Sequence, residues 1–185
     1  MNLFTKQIPL IFNIVGFQTV WFLCVYGAAR SNVLPGIVAA VIFAVVSLLF
    51  SKHKKCDLMT LCLAMPIGFV MDSVLAQSKV ISFSHPLPDA NWAPLWIMCL
   101  WLGFALTLNH SLKSIYTKPW RILLFGFFGA PIAYSIASYK FGAMTFHGNM
   151  MIALLFIACI WGLGLSLLYF LNHRIRPFNQ EYIPQ

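Results

Sequence analysis

The sequence predicts an all-α polytopic membrane protein, with six transmembrane helices in a compact bundle and both termini in the cytoplasm. The 185 residues are 61% hydrophobic and 9% charged, whereas about a quarter of a soluble domain is charged. One small core could not hide so much apolar surface from water. Six apolar runs of membrane-spanning character and an uneven distribution of basic residues complete the prediction.

The six spans follow one another with short connections and form a single domain, residues 1–185. The predicted spans are about 8–29, 32–50, 58–77, 94–112, 121–139 and 149–172, followed by a short, loosely ordered cytoplasmic tail, 173–185. The first run follows a short basic start, as a signal peptide does, but its length and its two amides favour a retained helix. Pro35 lies in the first turn of the second span, where a missing N–H matters least.

The fourth span organises the chain, because it is the uncharged run PLWIMCLWLGFALTLNHS from Pro94 to Ser111. The longest polar connection precedes it, and residues 80–84 of that connection alternate like a short extended segment. Pro66 and Pro131 lie inside the third and fifth spans, where neighbouring helices can satisfy the freed carbonyls. Tryptophans near helix ends, Trp92, Trp96 and Trp120, predict an interfacial belt.

Basic residues predict the orientation. Nine of the 12 Lys and Arg residues flank one set of helix ends, namely Lys6, Lys52, Lys54, Lys55, Lys113, Lys118, Arg121, Arg174 and Arg176. The other three, Arg30, Lys79 and Lys140, lie in the alternate loops. The positive-inside rule therefore places both termini in the cytoplasm. The net charge of +8 indicates anionic membrane phospholipids as partners, and no nucleic-acid-binding pattern accompanies it.

Asp72 is the candidate intramembrane acid, on a stripe of small residues formed with Ala64, Gly68 and Ala76. Buried charges in membranes face protein or a cavity, and the small stripe lets a neighbouring helix approach. A structural hydrogen bond or ion pair to the fifth span, where Tyr134 lies at similar depth, is one interpretation. A proton or substrate site is the second, and a solvated residue at the membrane interface is the third.

Further polar candidates lie on the first and fourth spans. Asn13 and Gln18 are about 140° apart around their helix, so each amide is expected to join a different neighbouring helix, with contact to a ligand as the alternative. Thr107, Asn109 and His110 lie at the cytoplasmic end of the fourth span, level with Asn13. They predict either a lipid-headgroup site or a polar helix end. Small residues in the fifth span, Gly126, Gly129, Ala130, Ala133 and Ala137, predict a close-packing seam.

Catalytic and metal-binding patterns are scarce. The five histidines are dispersed, four acidic residues supply few carboxylates, and no zinc-ligand spacing, nucleophile motif or phosphate-binding loop is present. No catalytic residue, metal or cofactor is therefore assigned, and the balance is against an enzyme. Six short helices enclose little interior, which is compatible with a homo-oligomer or with another membrane protein as partner.

The sequence resembles the domain-of-unknown-function family numbered twenty-eight seventy-eight, which comprises uncharacterised bacterial inner-membrane proteins. The matching residues are Asn13, Gly16-Phe17-Gln18, Trp21, Asp72, the run from Pro94 and Gly129-Ala130-Pro131 with Tyr134, although Gly is expected where the chain has Ala130. The resemblance covers nearly the whole chain. It implies a compact multi-pass bundle with no assigned activity, encoded near lipid-modifying enzymes.

These observations favour a non-catalytic accessory in membrane-lipid or envelope metabolism. A small proton-coupled transporter using Asp72 is the alternative, with Pro66 and Pro131 supplying bends. A membrane-embedded enzyme using His110 or Asp72 is the second alternative, and it requires cooperating groups at one depth.

Overall fold

The computed structural model describes the backbone of residues 3–175 and the side chains of residues 9–175. Six long helices form a bundle, and the connections contain one short helix, one π-helical turn and two short strands. In chain order the elements are α1 (Leu3–Ala29), α2 (Leu34–Phe50), α3 (Lys54–Gln77), β1 (Ile81–Phe83), α4 (Leu95–Leu108), α5 (Lys113–Tyr116), α6 (Pro119–Ile136), the π-helical turn (Ala137–Phe141), β2 (Met144–Phe146) and α7 (Met150–Ile175). The predicted all-α class is confirmed.

Helix α4 occupies the centre of the bundle. It packs against α1, α2 and α3, while α3 also packs against α7 and α7 against α6. Most of its residues are buried, which explains why its sequence is apolar all round and carries no charge. Helix α6 packs mainly against α7, and it meets α1 through the π-helical turn. Helices α1 and α6 therefore leave a gap over α4.

Two close approaches hold the long helices together. An added Cβ on Gly68 of α3 would lie 2.1 Å from the Trp101 ring of α4, and one on Gly126 of α6 would lie 2.6 Å from the Trp161 carbonyl oxygen of α7. The stripe on α3 is thus a packing surface, as predicted. Only part of the small-residue seam on α6 is a packing surface, because an added Cβ on Gly129 would meet nothing within 4 Å.

A small two-stranded sheet closes one end of the bundle. Strands β1 and β2 pair antiparallel, with Ser82 opposite Thr145. The extended segment predicted around residues 80–84 is therefore present, although its partner strand was not predicted. Trp96 donates from Nε1 to the Ser84 carbonyl at 3.0 Å and is 1% exposed, so it belongs to the core and not to an interfacial belt.

Helix ends differ from prediction at several places. Helix α3 begins at Lys54, four residues before the predicted start, and so includes Asp57. Helix α4 ends at Leu108, because the amides of His110 and Leu112 both turn back to the Thr107 carbonyl. Helix α7 continues to Ile175, and the remainder of the predicted tail, 176–185, lies outside the described residues.

Within the described residues, four helical stretches are long and apolar enough to span a membrane: Pro9–Ala29, Lys54–Gln77, Pro119–Phe141 and Met150–Ile175. Helices α2 and α4 are also apolar but shorter, with 17 and 14 residues. Many large apolar side chains on the outside of the bundle are exposed. These features identify a membrane protein, since hydrocarbon and not water suits such a surface.

Candidate functional site

The gap between α1 and α6 is a cavity of about 390 Å³ with α4 as its floor. Its walls are almost entirely apolar, and eight of the lining side chains are aromatic. Those aromatic residues are Phe17, Trp21, Trp96, Trp101, Phe104, Phe125, Tyr134 and Trp161. Exposed residues of both helices, Gln18 on α1 and Ile132 and Ile136 on α6, line it as well. The cavity therefore opens sideways between the two helices.

Small residues on α6 create the space. Gly129 and Ala133 lie one turn apart and both line the cavity, where larger side chains would fill it. This corrects the prediction that the whole α6 seam serves close packing. Of the seam, Gly126 contacts the α7 backbone, whereas Gly129 faces open space.

Asp72 of α3 lies at the inner wall of this cavity and is fully buried. Trp101 of α4 donates from Nε1 to its Oδ2 at 2.6 Å, and the Tyr134 hydroxyl of α6 donates to its Oδ1. The predicted hydrogen bond between the third and fifth spans is thus present, and it is formed by Tyr134. Among the described residues no Lys, Arg or His forms an ion pair with Asp72.

A third aromatic donor completes this group. Trp161 of α7 donates from Nε1 to the Tyr134 hydroxyl oxygen at 3.3 Å, and its ring stacks on Trp101 with centroids 4.8 Å apart. Asp72 thereby connects α3 to α4 and α6 directly, and to α7 through Tyr134. The stacked indoles form part of the cavity wall.

Gln18 departs from the prediction that its amide joins a neighbouring helix. No hydrogen bond to its amide is found within the described part of the chain, and its side chain is exposed at the edge of the cavity. Asn13, by contrast, donates to the Leu106 carbonyl at 3.2 Å and accepts from the Ser111 hydroxyl at 2.5 Å. Asn13 thus joins α1 to the end of α4, whereas Gln18 is available to a molecule in the cavity.

A second polar cluster surrounds Asp57 at the opposite end of α3. Asp57 is fully buried and accepts from Ser51 at 2.5 Å, from Asn109 at 2.9 Å and from His110 Nε2 at 2.9 Å. The carboxylate can only accept, so the imidazole donates from Nε2. These bonds hold the ends of α2 and α4 against the start of α3.

The same cluster continues into α7. Thr60, one turn after Asp57, accepts from Asn109 at 3.0 Å and from Asn172 at 2.7 Å. Asn172 also donates to the Tyr116 hydroxyl of α5 at 3.0 Å. Buried polar groups are stable when every member of such a network has a partner. The polar end of α4 therefore serves helix packing, since Asn109 and His110 bind side chains of α3, a role that neither predicted interpretation included.

His110 also borders a groove of about 350 Å³ between α1 and α2, together with Asn13 and Ser51. Its side chain is 30% exposed. Thr107, also a candidate, donates to the Phe104 carbonyl of its own helix at 2.7 Å, and no hydrogen bond joins its side chain to another element in the described part of the chain. The predicted candidates thus divide into Asp72, Tyr134 and Gln18 at the cavity, and Asn13, Asn109 and His110 at the other end.

Asp72 and His110 do not meet. His110 contacts Asp57, which is 15 residues before Asp72 on the same helix, or about 22 Å along its axis. An acid–base pair made of Asp72 and His110 is therefore not formed. No group of three or more His, Cys, Asp or Glu side chains suited to a metal ion occurs in the described part of the chain.

Sequence reasoning missed Asp57, Thr60 and Asn172. A signal for the first two was present, because the small stripe at Ala64 and Gly68 continues one turn back to Thr60 and then to Asp57. The charged pair Lys54-Lys55 just before Asp57 is more typical of a loop than of a membrane-spanning helix. Asn172 gave no comparable signal, since it stands at the end of a predicted span where polar residues are ordinary.

Comparison with known proteins agrees with the resemblance noted from the sequence. The family model described as "Protein of unknown function (DUF2878)" matches residues 10–167, which include the α1–α6 cavity and most of the Asp57 cluster. No match was found among curated proteins or among solved structures. Because the family model covers most of the chain, the protein belongs to the DUF2878 family of proteins of unknown function.

Proposed function

We propose that this protein is a non-catalytic accessory in membrane-lipid or envelope metabolism, and that it holds one membrane amphiphile in the α1–α6 cavity. The observation that carries the proposal is the cavity itself, which has apolar walls and opens sideways between two apolar helices. Its volume is within the range of about 300–1,000 Å³ that small-molecule sites occupy. An amphiphile enters from the bilayer without crossing water.

The proposal includes six crossings of a bacterial inner membrane, with both termini in the cytoplasm. Two contacts support a crossing by α4 in addition to the four longer helices. Strand β1 pairs with β2, so the connections that contain them lie on one side, and the chain between them crosses an even number of times. Helices α4 and α6 both lie in that interval, so α4 crosses if α6 does.

The other end of the bundle gives the same parity. Asp57 contacts Asn109, so the start of α3 and the end of α4 lie together, and α4 must cross if α3 does. Helix α4 has 14 residues, or about 21 Å of length, and it tolerates this because protein and not lipid surrounds it. The basic residues around this end support a cytoplasmic position for it.

The experiment is lipid mass spectrometry on protein purified in mild detergent. We expect a bound amphiphile to copurify with the wild type at near-stoichiometric ratio. Gly129→Phe is expected to reduce it severalfold, because the new side chain enters the cavity without a backbone clash. Leu163→Phe on the outer face of α7, where Leu163 is 69% exposed, is the matched control and should leave it unchanged.

Equal lipid content in Gly129→Phe and Leu163→Phe would exclude the cavity as the site. A proton-coupled transporter using Asp72 would need the same bound state, so ligand binding is the step to test first. A transporter would then release its ligand on the other side of the membrane, whereas a lipid accessory would retain it or pass it to a partner.

A further inference from the structure

We propose that the α1–α6 cavity selects a lipophilic organic cation, such as an amphiphile with an amine or quaternary ammonium group. The inference rests on the proposed function, because it takes the same cavity as a binding site and names the charge of its ligand. It is carried by one juxtaposition, namely a buried carboxylate without a cationic partner among the described residues, beside an aromatic wall.

The hydrogen bonds around Asp72 supply the donors that a carboxylate accepts. Trp101 Nε1 can only donate, and it donates to one carboxylate oxygen. The Tyr134 hydroxyl accepts from Trp161 and donates to the other oxygen. Both oxygens therefore accept, and neither of these bonds uses a proton from the carboxyl group, which suits a carboxylate.

The negative charge of a carboxylate at this position is not neutralised by the groups that bind it. Its two donors are neutral, and among residues 9–175 no basic side chain forms an ion pair with it. Charged groups within a membrane protein are generally paired, because hydrocarbon and protein screen them poorly. A cation in the cavity would supply the missing positive charge.

The cavity walls are suited to hold that cation. Aromatic ring faces carry partial negative charge and attract ammonium groups, and clusters of such rings recognise quaternary ammonium. The lining rings include Trp21, Trp161 and Phe125, each of which is partly exposed. Apart from Asp72 and the aromatic residues that carry a hydroxyl or N–H group, the polar side chain in the lining is the neutral amide of Gln18.

The same charge argues against anionic ligands. A phosphate or a fatty-acid carboxylate placed in this cavity would approach Asp72 with no basic residue in the lining to offset the repulsion. Among membrane amphiphiles of suitable size, those with a net positive group are therefore favoured. Basic residues at the ends of the bundle are a separate surface that anionic phospholipids can meet.

The test uses two probes of nearly identical shape and opposite charge, tetraphenylphosphonium and tetraphenylborate. Binding to the purified full-length protein in neutral detergent is measured by equilibrium dialysis. We expect saturable binding of tetraphenylphosphonium that weakens at least about tenfold in Asp72→Asn, because the charge attraction is lost. Tetraphenylborate is expected to show no saturable binding to the wild type.

Two further variants locate the bound cation. Gly129→Phe should weaken tetraphenylphosphonium binding by occupying the cavity, and Trp21→Leu should weaken it about threefold or more by removing one ring face. Leu163→Phe is the control for added bulk on the outside. Thermal unfolding of each variant identifies any that fails to fold, and the comparison of the two probes on the wild type does not depend on any variant.

Equal saturable binding of tetraphenylborate, or unchanged tetraphenylphosphonium binding in a folded Asp72→Asn, would overturn the inference. The proposed function and the preference for cations can fail independently of each other. If a copurifying lipid is lost in Gly129→Phe but the wild type does not distinguish the two probes, the cavity binds an amphiphile and its preference for cations is wrong.

Discussion

At the residue scale, Asp57 and Asp72 illustrate two uses of a buried carboxylate. Asp57 accepts from Ser51, Asn109 and His110, so all three donors are polar side chains, and it joins three helices at one end. Asp72 accepts from two aromatic donors beside a cavity. The first arrangement is complete within the protein, whereas the second has room for a ligand.

Asp57→Ala is expected to destabilise the protein by about 2–4 kcal/mol, because it removes the common acceptor of three hydrogen bonds and leaves buried donors unsatisfied at about 1–3 kcal/mol each. The midpoint of thermal unfolding in detergent is the measurement. Asp89→Ala is the control, since Asp89 is exposed and accepts from its neighbour Asn91. Similar midpoints for the two variants would show that the Asp57 cluster is not a stabilising network.

Single residues were predictable from sequence where burial in a membrane is unusual for their type. Asp72 and Asn13 stood out because amide and carboxyl groups are rare within apolar runs, and the structure gives both of them partners on other helices. Asp57 did not stand out, because it lies close to lysines. Whether a polar residue at a helix end faces water or protein depends on tertiary packing, which composition does not reveal.

At the element scale, glycine positions decide which helices touch and which leave space. Gly126 allows α6 to approach the α7 backbone, while Gly129 is less than one turn further along and meets nothing. The repeated small residues of α6 predicted contact along the whole seam. They could not reveal that one part of it faces a neighbouring helix and another part a cavity, because the helix crossing sets that division.

Gly126→Ala is expected to destabilise the α6–α7 pair by about 1–3 kcal/mol, since backbone atoms cannot make room as a flexible side chain can. Gly129→Ala adds the same methyl group where nothing lies within 4 Å, so its unfolding midpoint should equal or exceed that of the wild type. The two midpoints, measured side by side in one detergent, test the packing. A larger loss in Gly129→Ala would contradict it.

The helices themselves were the most predictable elements. Apolar runs located all six long helices, and errors were confined to their ends, as at Lys54 and Leu108. The pairing of β1 with β2 was not predictable, because the two strands of three residues each are separated by α4 and α6. Long-range pairing of such short segments leaves almost no trace in local sequence.

At the scale of the whole molecule, the two ends of the bundle differ in chemistry. The end that contains the Asp57 cluster has most of the basic residues, including Lys52, Lys54 and Lys113. The other end is closed by the β1–β2 sheet, and the cavity extends toward it as far as Met144. A ligand held near Asp72 therefore lies closer to the end with fewer positive charges, where a cation meets less repulsion.

The proposed membrane topology predicts on which side of the membrane each connection lies. With six crossings, the connection between α2 and α3 is cytoplasmic and the connection between α3 and α4 is on the other side. If the shorter helices α2 and α4 did not cross, these two positions would exchange sides, while the C-terminus would be cytoplasmic in both cases. The two connections are therefore the informative positions, and Gln185 is the common reference.

Short epitope tags inserted after Lys52 and after Asp89 in the full-length chain distinguish the two arrangements. In spheroplasts with intact membranes, an antibody should reach the tag after Asp89 and fail to reach the tags after Lys52 and Gln185 until the membrane is permeabilised. The positive-inside rule and the pairing of β1 with β2 both favour this result. A tag that is accessible after Lys52 and protected after Asp89 would instead show that α2 and α4 do not cross the membrane. The sideways opening of the cavity would then need a different relation to the bilayer.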